Sequence, residues 1–382
     1  MKKLYALLAV LFAVSCTTNL YASVPDSYQQ WNFSVGKMLS RSPGAIADTI
    51  YMRIGLKLYC TLIEDATGKW IFLDQTDTTH KRITFFPVSE DDNTLVSSDT
   101  VQLQYFGPAD TNKIADLLME TDTLRRYFFD ADVTLSQMLD RLHLNNSVWE
   151  KPLVFIDCFF VRGLASGPDI QYDAYDPHPE DKIKKRFVYK SPVLIYSCTF
   201  DYDINFSNSE FKDVLIFKSM FDDEHFFKIK NSLFDSACCL YFLNYSADAP
   251  RRGELAISAS LFNDAFILTN QLKQVHIDGC NFRDILTFNK STSVSAYRNL
   301  LNAPLGYDPF WRTSHSYLYY RWFLHTKFDG YVDEVLKDTL EDFMSATRID
   351  TDFNIAISKT NIASLDLANT TLKDCSFTDV IV

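Results

Sequence analysis

Large apolar residues recur at every fifth position in three blocks of this chain. A period of five fits neither the 3.6-residue turn of a helix nor the two-residue alternation of a flat strand. It indicates a chain that turns a corner after each unit, so that four units make one coil of about 20 residues. The residues predicted to form the core of these units are Phe200, Phe206, Phe211, Ile216, Phe221, Phe226, Phe234, Ile257, Phe262, Ile267, Leu272, Ile277, Phe282, Ile357, Ile362, Leu367, Leu372 and Phe377.

The position two residues before each of these is mostly small. Ser209, Cys280 and Cys375 are examples, and a narrow coil has no room for a second large side chain there. Coils would stack at about 4.8 Å, the spacing of paired strands, and stacking buries the apolar face that a single coil leaves open. The pattern places Phe221 inside, where replacement by alanine costs about 3–5 kcal/mol. It places Met220 outside, where replacement by alanine is nearly silent.

Units such as 209–213 (Ser-Glu-Phe-Lys-Asp) and 280–284 (Cys-Asn-Phe-Arg-Asp) resemble the pentapeptide-repeat family. The unit of that family is a small residue, Asn or Asp, Leu or Phe, and two polar residues. The resemblance implies a right-handed, four-sided parallel β-helix. The spacing slips before Phe206 and before Phe234, which predicts bulges or loops at the corners. An ordinary β-sandwich with Phe-rich strands is the alternative that the pattern leaves open.

The chain as a whole is predicted to be mainly β, with a small α+β module before the repeats and a helical insertion within them. The predicted parts are a signal peptide and tether at 1–22, an α+β capping module at 23–150, β-helix repeats at 151–290, a helical, aromatic-rich insertion at 291–352 and C-terminal repeats at 353–382. In the capping module the pattern predicts a strand over 48–64 with a partner at 69–74, strands at 82–88 and 101–106, and a helix at 134–144.

The first residues have the pattern of an export signal. Lys2 and Lys3 precede an uncharged apolar run at 4–14, which is too short to cross a membrane as a helix. Cys16 directly follows in Ala-Val-Ser-Cys, a loose lipoprotein cleavage box that predicts lipid attachment at Cys16 and an outer-membrane or cell-surface location. The alternative is cleavage after Ala22, which would give a periplasmic or secreted soluble protein. A lipid anchor would be the chain's only contact with a membrane.

The charge and the cysteines narrow the possible ligands. The net charge is −12, and loss of Lys2 and Lys3 makes it more negative, which argues against nucleic acid as a partner. Cys198 and Cys280 fall in small inward positions, where a thiol acts as a small hydrophobe. There is no Cys-x-x-Cys pair, no Gly-rich phosphate loop and no His-Glu-x-x-His. We therefore expect no metal and no cofactor.

One acidic cluster is a candidate for chemistry. Asp222, Asp223 and Glu224 lie at a predicted corner, and Asp201 is expected one coil away, about 5 Å from Asp222. Stacked carboxylates on a β-helix wall would suit a polysaccharide lyase or a glycoside hydrolase, which is the alternative function that we keep. Corner positions of a solenoid are usually polar, however, and this favours a non-enzymatic reading of the cluster.

The sequence favours a non-enzymatic cell-envelope or secreted scaffold that binds an unknown protein or glycan. Tyr317, Tyr320 and Trp322 in the predicted insertion are candidates for a partner surface, because Tyr and Trp give large contact area. The last residues, 380–382, would leave an apolar edge. We expect either that the insertion covers this edge or that two copies pair through the C-terminal coil as a homodimer.

Overall fold

In the computed structural model the chain divides into two compact units, residues 1–106 with 126–128 and residues 107–125 with 129–382. The described residues are 47–54, 57–64, 69–70, 82–88, 101–167, 186–221, 224–243, 253–269, 272–288, 330–331, 352–367, 371–372 and 374–382. They are mainly β, with long parallel sheets, as the repeat predicts.

The first unit is an antiparallel sheet. Its strands are β1 (Ala47–Ile54), β2 (Lys57–Glu64), β3 (Lys69–Trp70), β4 (Arg82–Val88) and β5 (Val101–Phe106). Strand β2 pairs with β1, β3 and β4, and β4 pairs with β5. The predicted strands at 82–88 and 101–106 are confirmed. The prediction of one strand over 48–64 is wrong, because the chain reverses between Ile54 and Lys57 and the two halves pair with each other.

Two helices belong to the second unit. Helix α1 (Thr111–Glu120) buries Ile114, Ala115 and Leu118, and helix α2 (Leu135–Arg141) lies inside the helix predicted at 134–144. We did not predict α1, although its three buried residues follow the helical spacing of i, i+1 and i+4.

The remaining strands are short. They are β6 (Thr123–Arg125), β7 (Tyr127–Phe129), β8 (Val133–Thr134), β9 (Val148–Trp149), β10 (Leu153–Ile156), β11 (Phe159–Phe160), β12 (Leu164–Ala165), β13 (Phe187–Tyr189), β14 (Val193–Phe200), β15 (Ile204–Asn205), β16 (Ser209–Phe211), β17 (Leu215–Phe221), β18 (Phe226–Lys230), β19 (Leu233–Phe234), β20 (Cys238–Leu243), β21 (Glu254–Ser258), β22 (Leu261–Phe262), β23 (Phe266–Thr269), β24 (Gln274–Asp278), β25 (Asn281–Phe288), β26 (Asp352–Phe353), β27 (Ile355–Ser358), β28 (Asn361–Asp366), β29 (Thr371–Leu372) and β30 (Ser376–Thr378).

Most of these strands form three parallel ladders, in which each strand pairs with one from an earlier and one from a later coil. Ladder I joins β6, β10, β14, β17, β20, β23, β25 and β28. Ladder II joins β9, β13, β16, β19, β22, β25 and β28. Ladder III joins β8, β12, β15, β18, β21, β24, β27 and β30. Strands β25 and β28 belong to ladders I and II because their register shifts partway along.

The offset between paired residues shows where the coils lengthen. It is 20 residues at Ile257↔Ile277, as the five-residue period predicts. It is 23 residues at Ile204↔Phe227, 28 at Phe234↔Phe262 and 80 at Val275↔Ile355. The two long offsets span 244–252 and 289–351, which are interruptions that the sequence pattern also indicates.

A column of aromatic rings runs along ladder II. Tyr189, Phe211, Phe234, Phe262 and Phe282 stack in order, with neighbouring ring centroids 4.4, 4.6, 4.7 and 4.6 Å apart and the planes within 10° of parallel. This distance is close to the spacing of paired strands, about 4.8 Å, so one ring per coil keeps the column continuous.

The small position two residues before each ring also has a hydrogen-bonding role. The hydroxyl of Ser232 accepts from the backbone N–H of Ser209 at 3.2 Å, and the hydroxyl of Ser260 accepts from the N–H of Ser232 at 3.1 Å. Thr360 does the same for the N–H of Cys280 at 3.3 Å. Serine and threonine therefore suit this position because they are small and because they satisfy a buried backbone donor in the neighbouring coil.

The residue just before the small position takes a left-handed backbone conformation, which turns the corner. Asn208, Asn231, Ala259 and Lys359 have φ between 48° and 53°, and Gly279 has φ 61°.

Of the predicted repeat core, fourteen residues are buried, and four stand differently. The buried ones are Phe200, Phe206, Phe211, Ile216, Phe221, Phe234, Ile257, Phe262, Ile267, Leu272, Ile277, Phe282, Ile357 and Ile362. Phe226 is 37% exposed, and its neighbour Phe227 is buried in its place. Phe377 is 43% exposed, because no described strand pairs with β30 on its far side. Leu367 is half-buried, and the side chain of Leu372 lies outside the described residues.

On ladder I the predicted phase is shifted by one residue. Phe266 contacts the rings of Phe262 and Phe282, whereas its neighbour Ile267 was expected to do so. Phe217 likewise packs on Phe227, one residue after Ile216. Strand β17 is buried along its whole length, and side chains alternate between the faces of a strand. Both faces of β17 are therefore covered, so the prediction that Met220 is exposed is wrong.

The C-terminal end of the ladders is open. Ile381 and Val382 are 69% and 71% exposed. The expectation that the insertion covers this edge is therefore wrong, and pairing of two copies there remains a prediction.

Candidate functional site

Only part of the predicted site lies within the described residues. Asp201 and Glu224 are described, whereas Asp222 and Asp223 are not, nor are Cys16, Tyr317, Tyr320 and Trp322. Glu224 accepts a hydrogen bond from the Lys273 ammonium at 2.8 Å, which raises the pKa of Lys273. Both side chains are largely exposed, so this is a surface ion pair.

Asp201 belongs to a cluster that the sequence analysis did not identify. The offset between coils changes from 21 residues at Phe200↔Phe221 to 23 at Ile204↔Phe227. The later coil therefore has two extra residues at this corner, and it brings His225 toward the earlier coil. His225 Nε2 lies 3.8 Å from Asp201 Oδ1, and His225 Nδ1 lies 3.8 Å from Asp203 Oδ1. These distances are longer than hydrogen bonds.

Asp203 is the most connected residue of this cluster. Its Oδ2 accepts from the Lys228 ammonium at 2.5 Å, and its Oδ1 accepts from the backbone N–H of Phe226 at 2.9 Å. Asp203 directly precedes β15, whereas Phe226 and Lys228 belong to β18, the next strand of ladder III. The carboxylate is thereby fixed by two bonds from one neighbouring strand. Loop residues held this way form a preorganised site.

Two exposed aromatic side chains flank the cluster. The ring of Tyr202 is 54% exposed and lies 5.8 Å from the His225 ring, centroid to centroid. The ring of Phe226 lies under the Lys228 ammonium, which is 5.1 Å from its centroid. Most aromatic side chains in the described part of the chain are buried, so exposure of two neighbouring rings here distinguishes this surface.

A cleft of about 320 Å³ opens beside this cluster, along the outer face of ladder III. Its walls come from successive rungs of that ladder, β8, β12, β15 and β18, and from the turns before them. The residues that line it are Asp132, Val133, Thr134, Arg162, Gly163, Leu164, Ala165, Gly167, Tyr202, Asp203, Asn205 and Lys228. We call this the ladder III cleft.

Gly163 has a clear reason for its position in the cleft. Its φ is +83°, and a Cβ atom there would lie 2.3 Å from the backbone oxygen of Asp203. Only glycine allows the two turns to approach this closely. The neighbouring Arg162 is 54% exposed and its Nε lies 3.3 Å from Asp130 Oδ1. Arg162 thus keeps donors available at the rim of the cleft.

The cleft offers donors and acceptors of both signs next to an aromatic face. Arg162 and Lys228 are cationic, Asp132 and Asp203 are anionic, and Asn205 is neutral. Such a set can hydrogen-bond a polar, uncharged ligand. Among the described residues, no group of three His, Cys, Asp or Glu side chains could hold a metal ion. In the same part of the chain, no helix is both long and apolar enough to cross a membrane.

Comparison of the chain with protein-family models, with curated proteins and with solved structures gives no match.

Proposed function

We propose that this protein is a non-enzymatic binding scaffold and that the ladder III cleft holds a saccharide. The observation that carries the proposal is the position of the exposed Tyr202 ring beside Asp203, which Lys228 and the Phe226 backbone fix in place. One aromatic face next to fixed polar groups suits a sugar ring, which has an apolar face and a rim of hydroxyls.

The proposed scaffold is a right-handed, four-sided β-helix of the pentapeptide-repeat type. The 20-residue offset of ladder III, the aromatic column and the left-handed corners support it. Short pairings between β11, β14 and β17 would supply the fourth side, at Phe160↔Phe200 and Phe200↔Phe221. A stack of this kind is rigid, because every coil hydrogen-bonds to its neighbours on several sides.

The cleft favours a neutral saccharide over a highly charged one. Its charged groups largely compensate one another, since Lys228 pairs with Asp203 and Arg162 lies beside Asp130. The chain as a whole is acidic, with a net charge of −12, and repels polyanions. Neutral hydroxyls can accept from the cations and donate to the carboxylates without unpairing either set.

We also propose that the protein is exported and anchored through a lipid on Cys16. This rests on the apolar run at 4–14 and on the cysteine that follows it. Mass spectrometry of the mature N-terminus distinguishes a diacylated Cys16 from a free residue after Ala22.

A binding experiment with matched variants tests the function. The full chain is screened on a panel of neutral and acidic oligosaccharides, and titration calorimetry follows for the ligands that bind. We expect Tyr202→Ala to weaken binding about fivefold or more, since an aromatic contact contributes about 1 kcal/mol. Lys212→Ala, on the outer side of ladder II, serves as the control and leaves binding unchanged. Absence of any saccharide binding, or equal binding by Tyr202→Ala, contradicts the proposal.

The same samples test the alternative of a carbohydrate-active enzyme. The specific observation that favours it is His225 between Asp201 and Asp203. Shorter oligosaccharides appearing over time, together with their loss in Asp201→Asn, would establish turnover and overturn the non-enzymatic part of the proposal.

A further inference from the structure

Cys158 and Cys198 occupy the same position in two adjacent coils. Strand β11 pairs with β14 in parallel, with Phe159 opposite Thr199, so the two cysteines immediately before them are also opposite each other. Backbone hydrogen bonds hold the coils together on both sides of this pair. Asp157 N donates to Tyr196 O at 3.1 Å, and Thr199 N donates to Cys158 O at 2.9 Å.

The two thiols point the same way and contact each other. Each Sγ donates to the carbonyl oxygen two residues earlier, of Ile156 and of Tyr196, at 3.3 Å in both cases. Both side chains are fully buried and free. Burial raises the pKa of the Cys198 thiol, and the adjoining Cys158 thiol adds to this shift.

We propose that Cys158 and Cys198 are an oxidisable pair, and that they form a disulfide between neighbouring coils when the chain folds in an oxidising medium. Paired strands lie about 4.8 Å apart, which is within the Cα–Cα range of disulfides, about 4.4–6.8 Å. The oxidant is an external disulfide. The two thiols lose two protons and two electrons, an S–S bond forms between them, and the external disulfide is reduced to two thiols.

The other cysteines of the described residues lack such a neighbour. Cys280 occupies the same kind of small position, but its neighbours there are Ser260 and Thr360. Cys238 lies between Leu215 and Phe266 in ladder I, and Cys239 lies between Ile216 and Ile267. Cys280 is therefore an internal control for oxidation of a buried thiol in this environment.

Refolding in a glutathione buffer tests the proposal. The full chain is denatured and reduced, then refolded with a mixture of reduced and oxidised glutathione. It is then quenched in acid, alkylated under denaturing conditions and digested. We expect a peptide that links Cys158 to Cys198, with Cys280 fully alkylated. Full alkylation of both cysteines in the refolded protein, or a bond from either sulfur to any other cysteine, overturns the proposal.

Serine variants keep the test valid if the bond is weak. Serine fills the equivalent position in other coils, at Ser209, Ser232 and Ser260, so Cys158→Ser and Cys198→Ser are expected to fold. Oxidised glutathione should raise the Tm of the wild-type chain by several degrees and should leave the Tm of either variant unchanged. Cys280→Ser should still show the rise. An equal rise in Cys198→Ser and in the wild type contradicts the assignment.

Discussion

The ring of Phe234 stacks on the ring of Phe211, with centroids 4.6 Å apart and planes inclined by only 5°. The same residues are directly opposite in the backbone register of ladder II. The stacking distance of the rings thus matches the rise of the coils, and neither has to distort. A column built this way depends on each ring, because a gap at one level leaves both neighbouring rings without a contact.

Replacement of Phe234 by alanine should therefore destabilise the protein strongly. Phe234 is fully buried and stacks on Phe211 on one side and on Phe262 on the other. We expect a loss of about 3–5 kcal/mol in the free energy of unfolding, from lost burial and from the cavity that remains. Urea unfolding measures it. Phe226→Ala is the matched control, since Phe226 is exposed and should lose less than about 1 kcal/mol. Equal losses in the two variants would argue against the column.

The five-residue pattern predicts this column well because each ring lies alone on a short strand of ladder II. Phe211, Phe234, Phe262 and Phe282 fall on the pattern and face the same interior. Ladder I is harder to predict, because its longer strands are apolar on both faces. Periodicity cannot then distinguish Phe266 from Ile267, since both are buried. The pattern recognises a core position only where the opposite face is polar.

Met220 provides a direct test of that difference. The pattern places Met220 on the surface, whereas in the structure it is 1% exposed. We expect Met220→Ala to lower the free energy of unfolding by about 2–4 kcal/mol. Met119→Ala, at an exposed position of helix α1, makes the same chemical change and should be nearly neutral. A silent Met220→Ala would mean that the outer face of β17 is open to solvent after all.

Ser232 should matter through its hydroxyl as well as through its size. The hydroxyl accepts from the N–H of Ser209 and donates to the carbonyl oxygen of Phe206 at 2.9 Å. Alanine fits the space but leaves the N–H of Ser209 buried without an acceptor. We expect a loss of about 1–3 kcal/mol, together with faster hydrogen exchange at the Ser209 amide. Ser232→Cys keeps a weak acceptor and should lie between the two. Unchanged exchange in Ser232→Ala would rule out this role.

The candidate site could be predicted only in part, because its geometry depends on the coil offset. Asp201 and Glu224 stand out in the sequence as acidic corner residues. The roles of Asp203 and His225 depend on the change of offset from 21 to 23 residues, which no periodic pattern reveals. Tyr202 lies next to Asp203 in the sequence, but a chain with 15% aromatic residues gives no sign of which rings are exposed. Register and exposure decide the site, and both are properties of the folded chain.

The ion pair between Lys212 and Asp235 should make stability depend on pH. Lys212 Nζ lies 2.9 Å from Asp235 Oδ2, and Asn263 donates to the other oxygen at 2.9 Å. The hydrogen bond from Lys212 lowers the pKa of Asp235 below its value of 3.8 in an unfolded chain. A lowered folded-state pKa stabilises the protein above the unfolded value, and this contribution disappears as the pH falls through the folded value.

Asp235→Asn should therefore be less stable than the wild type at pH 7 but not at pH 2. Both side chains are partly exposed, so we expect a difference of only about 0.5 kcal/mol at pH 7. A double-mutant cycle with Lys212→Met, followed by urea unfolding at both pH values, isolates the pair from other effects. The coupling should be present at pH 7, should vanish at pH 2 and should weaken in high salt. A coupling energy that is the same at both pH values would show that the charge of Asp235 is not its source.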